Sequence, residues 1–162
     1  MIREESKGKK PTLEKLLELP EVISWRALMD TKKAIFSVLE SCFQKEGYTA
    51  ARFQIMFYLY FEGPMSPTQL TKLNMFTKGN TSTFIKRMVA DGLIEPIPGN
   101  TSNRPFYDLT KKGRAAFEDL FPRHIKRVQK LMLPLDEKTL KQLSSIREKL
   151  QLEPNWKDNQ SF

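Results

Sequence analysis

A mainly α-helical chain with one small β-wing, ordered as a winged helix-turn-helix, is what this 162-residue sequence predicts. Three observations predict it. Residues 66–73, SPTQLTKL, open on Ser66-Pro67-Thr68-Gln69, a capping box with proline at the first helical position, so a short helix starts there. After a turn at Asn74-Met75-Phe76, residues 77–91 place Thr81, Phe84, Ile85 and Met88 at i, i+3, i+4 and i+7, one inward helical face. The stretches LIEPI and RPFYDL then flank the polar tip PGNTSN and read as a hairpin. Helix, turn, helix and wing in this order can seat one helix in a DNA major groove.

The remaining elements follow in chain order. Residues 1–11 are polar, charged and end in proline, which predicts a flexible basic arm. Over 12–46, Leu13, Leu16 and Leu17, then Val22, Ile23, Trp25, Leu28, Met29, Ile35, Phe36, Leu39 and Phe43, recur at helical spacing. Pro20 interrupts this pattern early and Gly47 stops it, so a long first helix with a short lead-in is expected. Residues 47–112 form the winged lobe. Its first helix is capped by Thr49, closes on Gly63-Pro64, and is apolar nearly all round through Phe53, Ile55, Met56, Leu59 and Tyr60, hence deeply buried. Thr77 caps the helix that ends at Asp91 and Gly92. Residues 113–152 complete two more helices, capped by Thr110 and Asp136, with Pro122 expected to kink the first unless it lies near a turn. Residues 153–162 read as a loosely held tail in which Trp156 is able to dock.

Composition narrows the function. No apolar run approaches the length of a membrane span and the N-terminus lacks the apolar core of a leader, so a cytoplasmic protein is expected. One cysteine and one histidine exclude an internal disulfide and the usual Cys/His zinc clusters. His124 precedes the charged run IKRVQK and reads as a solvated helical side chain, not a catalytic base. With no paired carboxylates, phosphate-cradling glycine loop or nucleophile-base pair, neither an enzyme nor a cofactor is expected.

The net charge is +8, and residues 63–114 carry 8 basic against 3 acidic groups, so most of the excess lies in the helix-turn-helix and wing. That implies a polyanionic partner, double-stranded DNA. Opposite the inward face, the second helix offers Lys78, Gly79, Asn80, Ser82, Thr83, Lys86 and Arg87, with Thr77 at its start. Small residues allow close approach to the groove floor, amides and hydroxyls read base edges, and cations pair with guanine or phosphate. An ordinary amphipathic helix would show a solvated face too; the adjacent turn and wing favour DNA. Arg104, just past the wing tip beside Asn103, suits a narrow minor groove, the alternative being a contact to phosphate alone. Ser66 completes the candidate DNA-binding set.

The run from EGYTAARFQIMFYLYFEGPMSPTQLTKL through MFTKGNTSTFIKRMVADGLIEPIPGNTSNRPFYDLTKKGRAAF resembles the MarR family of bacterial winged-helix regulators. The GPMSPTQL start, the ADGLIEP exit and the NRPFYDLTKKG return carry the likeness over roughly residues 45–120. The resemblance implies a homodimer joined by its N- and C-terminal helices, bound to a pseudo-palindromic operator and usually repressing transcription. It also implies that a small ligand can bind between the dimerisation region and the DNA-binding lobe, and a small aromatic or phenolic effector is the candidate. Family wings often carry an acidic residue just before the arginine that matches Arg104, where this chain has Ser102 and Asn103.

Some family members sense oxidants through a cysteine in the first helix, but Cys42 lies late in that helix with no cation nearer in sequence than Lys45. It reads as a buried, inert thiol. Trp25, Phe36, Phe53, Phe57 and Tyr60 are an aromatic set for which core packing is the default and a ligand pocket the alternative. The competing function is a winged-helix adaptor that docks protein without sequence-specific DNA binding.

Overall fold

The capping and periodicity signals become seven helices and one hairpin among the residues described by the computed structural model, namely 12–73, 78–98 and 105–150, with backbone alone for 78–81. In order these are α1 (Leu13–Leu16), α2 (Pro20–Lys45), α3 (Ala50–Phe61), α4 (Pro67–Leu73), α5 (Lys78–Ala90), β1 (Ile94–Ile97), β2 (Phe106–Leu109), α6 (Lys111–Met132) and α7 (Glu137–Lys149). The basic arm, the Thr77 cap, the wing tip with Asn103 and Arg104, and the tail with Trp156 lie outside the described residues.

Local chemistry accounts for the element ends. Proline fits the first position of α2 and of α4, where its missing N–H costs no helical bond. Thr49, Thr110 and Asp136 cap α3, α6 and α7 by accepting from the backbone N–H of Arg52, Gly113 and Thr139. Gly47 and Gly92 turn the chain out of α2 and α5 at φ 79° and 69°, a region that disfavours side chains with a Cβ. Pro122 does not end α6, which continues through it; Pro122 and Glu118 are both exposed, so the turn that loses a hydrogen bond lies on the wet side.

The described residues divide into two compact units, one through Ser41 and one from Cys42 onward. In the first no residue is buried. Trp25 and Phe36 are 61% and 58% exposed, against the expectation of core packing, because a single helix cannot bury its own apolar stripe.

The second unit holds the core. Phe43, Phe53, Ile55, Met56, Leu59, Leu70, Leu73, Ile85, Met88, Leu93, Ile94, Leu109, Phe117 and Leu120 are buried. Tyr60 and Phe57 are only half-buried, so α3 is less enclosed than its apolar sequence suggests. β1 and β2 pair antiparallel with Ile94 opposite Leu109 and Ile97 opposite Phe106. Met65 exchanges two backbone hydrogen bonds with Tyr107, at 3.0 and 2.8 Å, which ties the wing to the residue preceding the α4 cap.

Two expectations need correction. His124 is not a solvated side chain: its ring lies 4.6 Å from Phe53 and 5.3 Å from Phe43, and Nδ1 is buried without a hydrogen-bond partner among the described residues. It follows α6 onto the core-facing side, one turn beyond Leu120, and burial, then the Arg127 charge, pushes its pKa down. Cys42 is half-buried, and Arg127 is near enough for the two to interact electrostatically, a proximity invisible in sequence distance. Arg127 makes a bidentate pair with Glu46 at 2.6 and 2.9 Å. Hydrogen bonding to Arg127 outweighs desolvation and, with the charges of Arg127 and Arg123, holds the Glu46 carboxyl below its usual range.

Candidate nucleic-acid interface

The interface begins at Ser66. Its backbone N–H donates to Gln69 Oε1 at 2.9 Å, and the Gln69 N–H donates to Ser66 Oγ at 3.3 Å, the reciprocal bonding of a capping box. Ser66 Oγ also donates to Gln69 Oε1 at 2.8 Å, so this side chain is committed to starting α4. It starts the helix that precedes the turn.

On α5 the buried side chains are Ile85 and Met88, with Phe84 half-buried beside them. Helical geometry places Ser82, Thr83, Lys86 and Arg87 on the opposite arc, and all four are exposed. Two hydroxyls and two cations therefore share one outer face, as the periodicity predicts. Lys78, Gly79 and Asn80 fall in the first turn of the same helix; their side chains, like Thr77, Asn103 and Arg104, lie outside the described residues.

The far end of α5 has partners that carry no local sequence signal. Arg52 of α3 forms an ion pair with Asp91 at 2.6 Å. Lys112 Nζ of α6 donates to the Asp91 carbonyl at 2.7 Å. Thr110 Oγ1 donates to the Gly92 carbonyl at 2.6 Å, and its N–H to that of Leu93 at 3.1 Å. Gly113 packs so tightly here that a Cβ on it would fall 1.9 Å from the Leu93 carbonyl oxygen. These residues come from three elements, which is why reading each segment singly passes over them.

A second constellation is aromatic. Phe57, Tyr60 and Phe61 of α3 meet Phe117 and Phe121 of α6 at centroid distances from 4.8 to 6.3 Å, and Phe61 is 51% exposed. Arg114 stands 5.1 Å over the Tyr60 ring, and Tyr60 donates a hydrogen bond to Glu118, which raises the phenol's pKa. The expected set of five aromatics is divided, with Trp25 and Phe36 in the first unit and Phe53, Phe57 and Tyr60 in the second.

Residues 46–101, from just after α2 past β1, match the sequence model of the MarR family. Over that segment the chain is similar to the MarR family of transcriptional regulators. Its members are transcription factors, not enzymes. The chain is 26% identical over 109 residues to the HTH-type transcriptional repressor YetL of Bacillus subtilis (strain 168), a match that spans 65% of either protein. Among solved structures, AbsC, a MarR family regulator from Streptomyces coelicolor, superposes with TM-score 0.72 at 21% identity over 89% of this chain and 96% of its own. The organohalide-sensing regulator RdhR-CbdbA1625 gives the same TM-score of 0.72 and 21% identity, ligand-free and with 2,4-dichlorophenol bound, over 91% of this chain and 88% of its own. These likenesses establish the shared winged-helix fold. Among the described residues no helix is long and apolar enough to cross a membrane.

Proposed function

We propose that this chain is a homodimeric transcriptional repressor that places α5 in the major groove of a pseudo-palindromic operator and the wing in the adjacent minor groove. The observation that carries this is the outer face of α5, where Ser82, Thr83, Lys86 and Arg87 stand exposed opposite the buried Ile85 and Met88. Thr77, Lys78, Gly79 and Asn80 are assigned to the same contact from their place in the sequence at the start of that helix, since a helix N-terminus favours a phosphate. Asn103 and Arg104 are assigned to the wing contact. YetL's description as a repressor supports the direction of regulation.

Dimerisation is supported by apolar side chains that the single chain leaves exposed. Ile23, Trp25, Met29, Phe36 and Val38 on α2, and Leu140, Leu143 and Ile146 on α7, are all exposed, as is Leu133 between α6 and α7. Stripes of this kind ask for a second copy. A small aromatic or phenolic effector fits the aromatic cluster of α3 and α6, and the 2,4-dichlorophenol bound by RdhR-CbdbA1625 lends it support.

Selection of bound duplexes from a random pool tests this reading. The expected product is a two-fold symmetric motif with half-sites about 34–36 Å apart, or a multiple of that spacing, bound with a steep salt dependence. Recovery of no motif, with an affinity insensitive to salt, would replace it with a protein-docking role.

A further inference from the structure

We propose that Arg52, Asp91 and Lys112 are positioning residues for DNA recognition, pinning the C-terminal end of α5 to α3 and α6 and so setting the angle at which its outer face meets the groove. This rests on α5 being the recognition helix.

The local chemistry is unusual enough to need a reason. A carboxylate just past a helix C-terminus faces the negative end of the helix dipole, where a cation is favoured. Asp91 occupies that place, and Arg52, 20% exposed and paired at 2.6 Å, offsets the charge from a different helix. Lys112 supplies a second cation to the same end through the Asp91 carbonyl, at 2.7 Å. With Thr110 on the next two carbonyls, the oxygens of Asp91, Gly92 and Leu93 all accept from side-chain or backbone donors beyond α5. The exit of α5 is thus bonded to α3 and to the start of α6.

Ile85 and Met88, the buried side chains of α5, lie less than one turn apart, so the bonds at its exit restrain its tilt at a point beyond them. A tilt of about 10° pivoting at Met88 would carry Ser82, roughly 9 Å away along the axis, by about 1.6 Å. That displacement breaks base-edge hydrogen bonds of about 3 Å and leaves long lysine and arginine side chains able to follow phosphates. An ion pair with Asp91 45% exposed contributes little to stability, so its effect is expected in recognition.

The test uses the full chain, a duplex recovered by selection and a scrambled duplex of equal length, with affinities measured by fluorescence anisotropy at two salt concentrations. Arg52→Ala should reduce discrimination between the duplexes roughly 2- to 5-fold, with scrambled-duplex affinity and salt slope unchanged. Arg52→Lys should restore part of the loss, and Arg52→Ala with Asp91→Ala should lose no more than either alone. Lys112→Met keeps the stem, drops the bond to the Asp91 carbonyl and should shift discrimination the same way; it carries the test if Arg52→Ala does not fold by circular dichroism. Unchanged discrimination in folded variants, or additive losses from the Arg52 and Asp91 changes, overturns the proposal. So does an equal loss on both duplexes with a shallower salt slope, which would mean that Arg52 touches phosphate itself. Failure of the recognition-helix reading looks different: Ser82→Ala and Lys86→Ala would then leave every duplex affinity unchanged.

Discussion

His124 should make the folded chain sensitive to mild acid. It is the one histidine in 162 residues, and its ring sits against Phe53 and Phe43 with Nδ1 buried and without a partner among the described residues. Burial lowers its folded pKa below the ordinary 6.5, so the unfolded chain binds the proton more readily. The stabilising contribution is therefore complete above pH 6.5 and is lost as pH falls from there toward the folded value. The steepest possible slope is about 1.4 kcal/mol per pH unit, which limits the loss between pH 6.5 and 5 to roughly 2 kcal/mol. Glu46 and Asp136, both with lowered pKa values, act in a separate window below pH 4.5. His124→Phe keeps the ring contacts and removes the orphaned nitrogen, a gain of about 1–3 kcal/mol that the bulkier ring partly offsets. Urea unfolding at fixed protein concentration from pH 5 to 8 should show the wild-type midpoint falling in acid and the variant nearly flat. Equal slopes in the two proteins, or a variant more than about 3 kcal/mol less stable at pH 7, would refute the buried neutral ring.

Phe117 is 1% exposed and touches Phe53, Phe57, Tyr60, Phe61 and Phe121, so Phe117→Ala should cost about 3–5 kcal/mol in chemical unfolding. Ser66→Ala removes the cap of α4 and should cost about 1 kcal/mol by the same measurement, with weaker DNA binding as the interface loses its orientation. Lys86→Ala and Arg87→Ala should each weaken all duplexes alike and lower the salt slope by about one counterion, whereas Ser82→Ala or Thr83→Ala should relax preference at particular base pairs. Replacing Leu143 and Ile146 of α7 by glutamate should yield monomers in sedimentation equilibrium; a stable dimer in that variant removes α7 from the proposed interface.

Much of the architecture was legible because its determinants are local. The Ser66 box, the caps at Thr49, Thr110 and Asp136, the glycine exits at Gly47 and Gly92, and the i, i+3, i+4 placement of Phe84, Ile85 and Met88 depend on residues within about one turn of each other. The order of those signals was enough to name the winged helix and to assign the outer face of α5. What sequence could not convey was which side chains from distant segments meet. His124 sits in a charged run yet stacks on Phe53, because helix phase and the layer beneath it, not its neighbours in the chain, decide its burial. Trp25 and Phe36 read as core from their spacing and stand exposed, because periodicity reveals that a face is apolar and not what covers it. Arg52, Asp91 and Lys112 belong to different elements, and only packing α3 and α6 against the exit of α5 brings a guanidinium, a carboxylate and an ammonium within bonding distance.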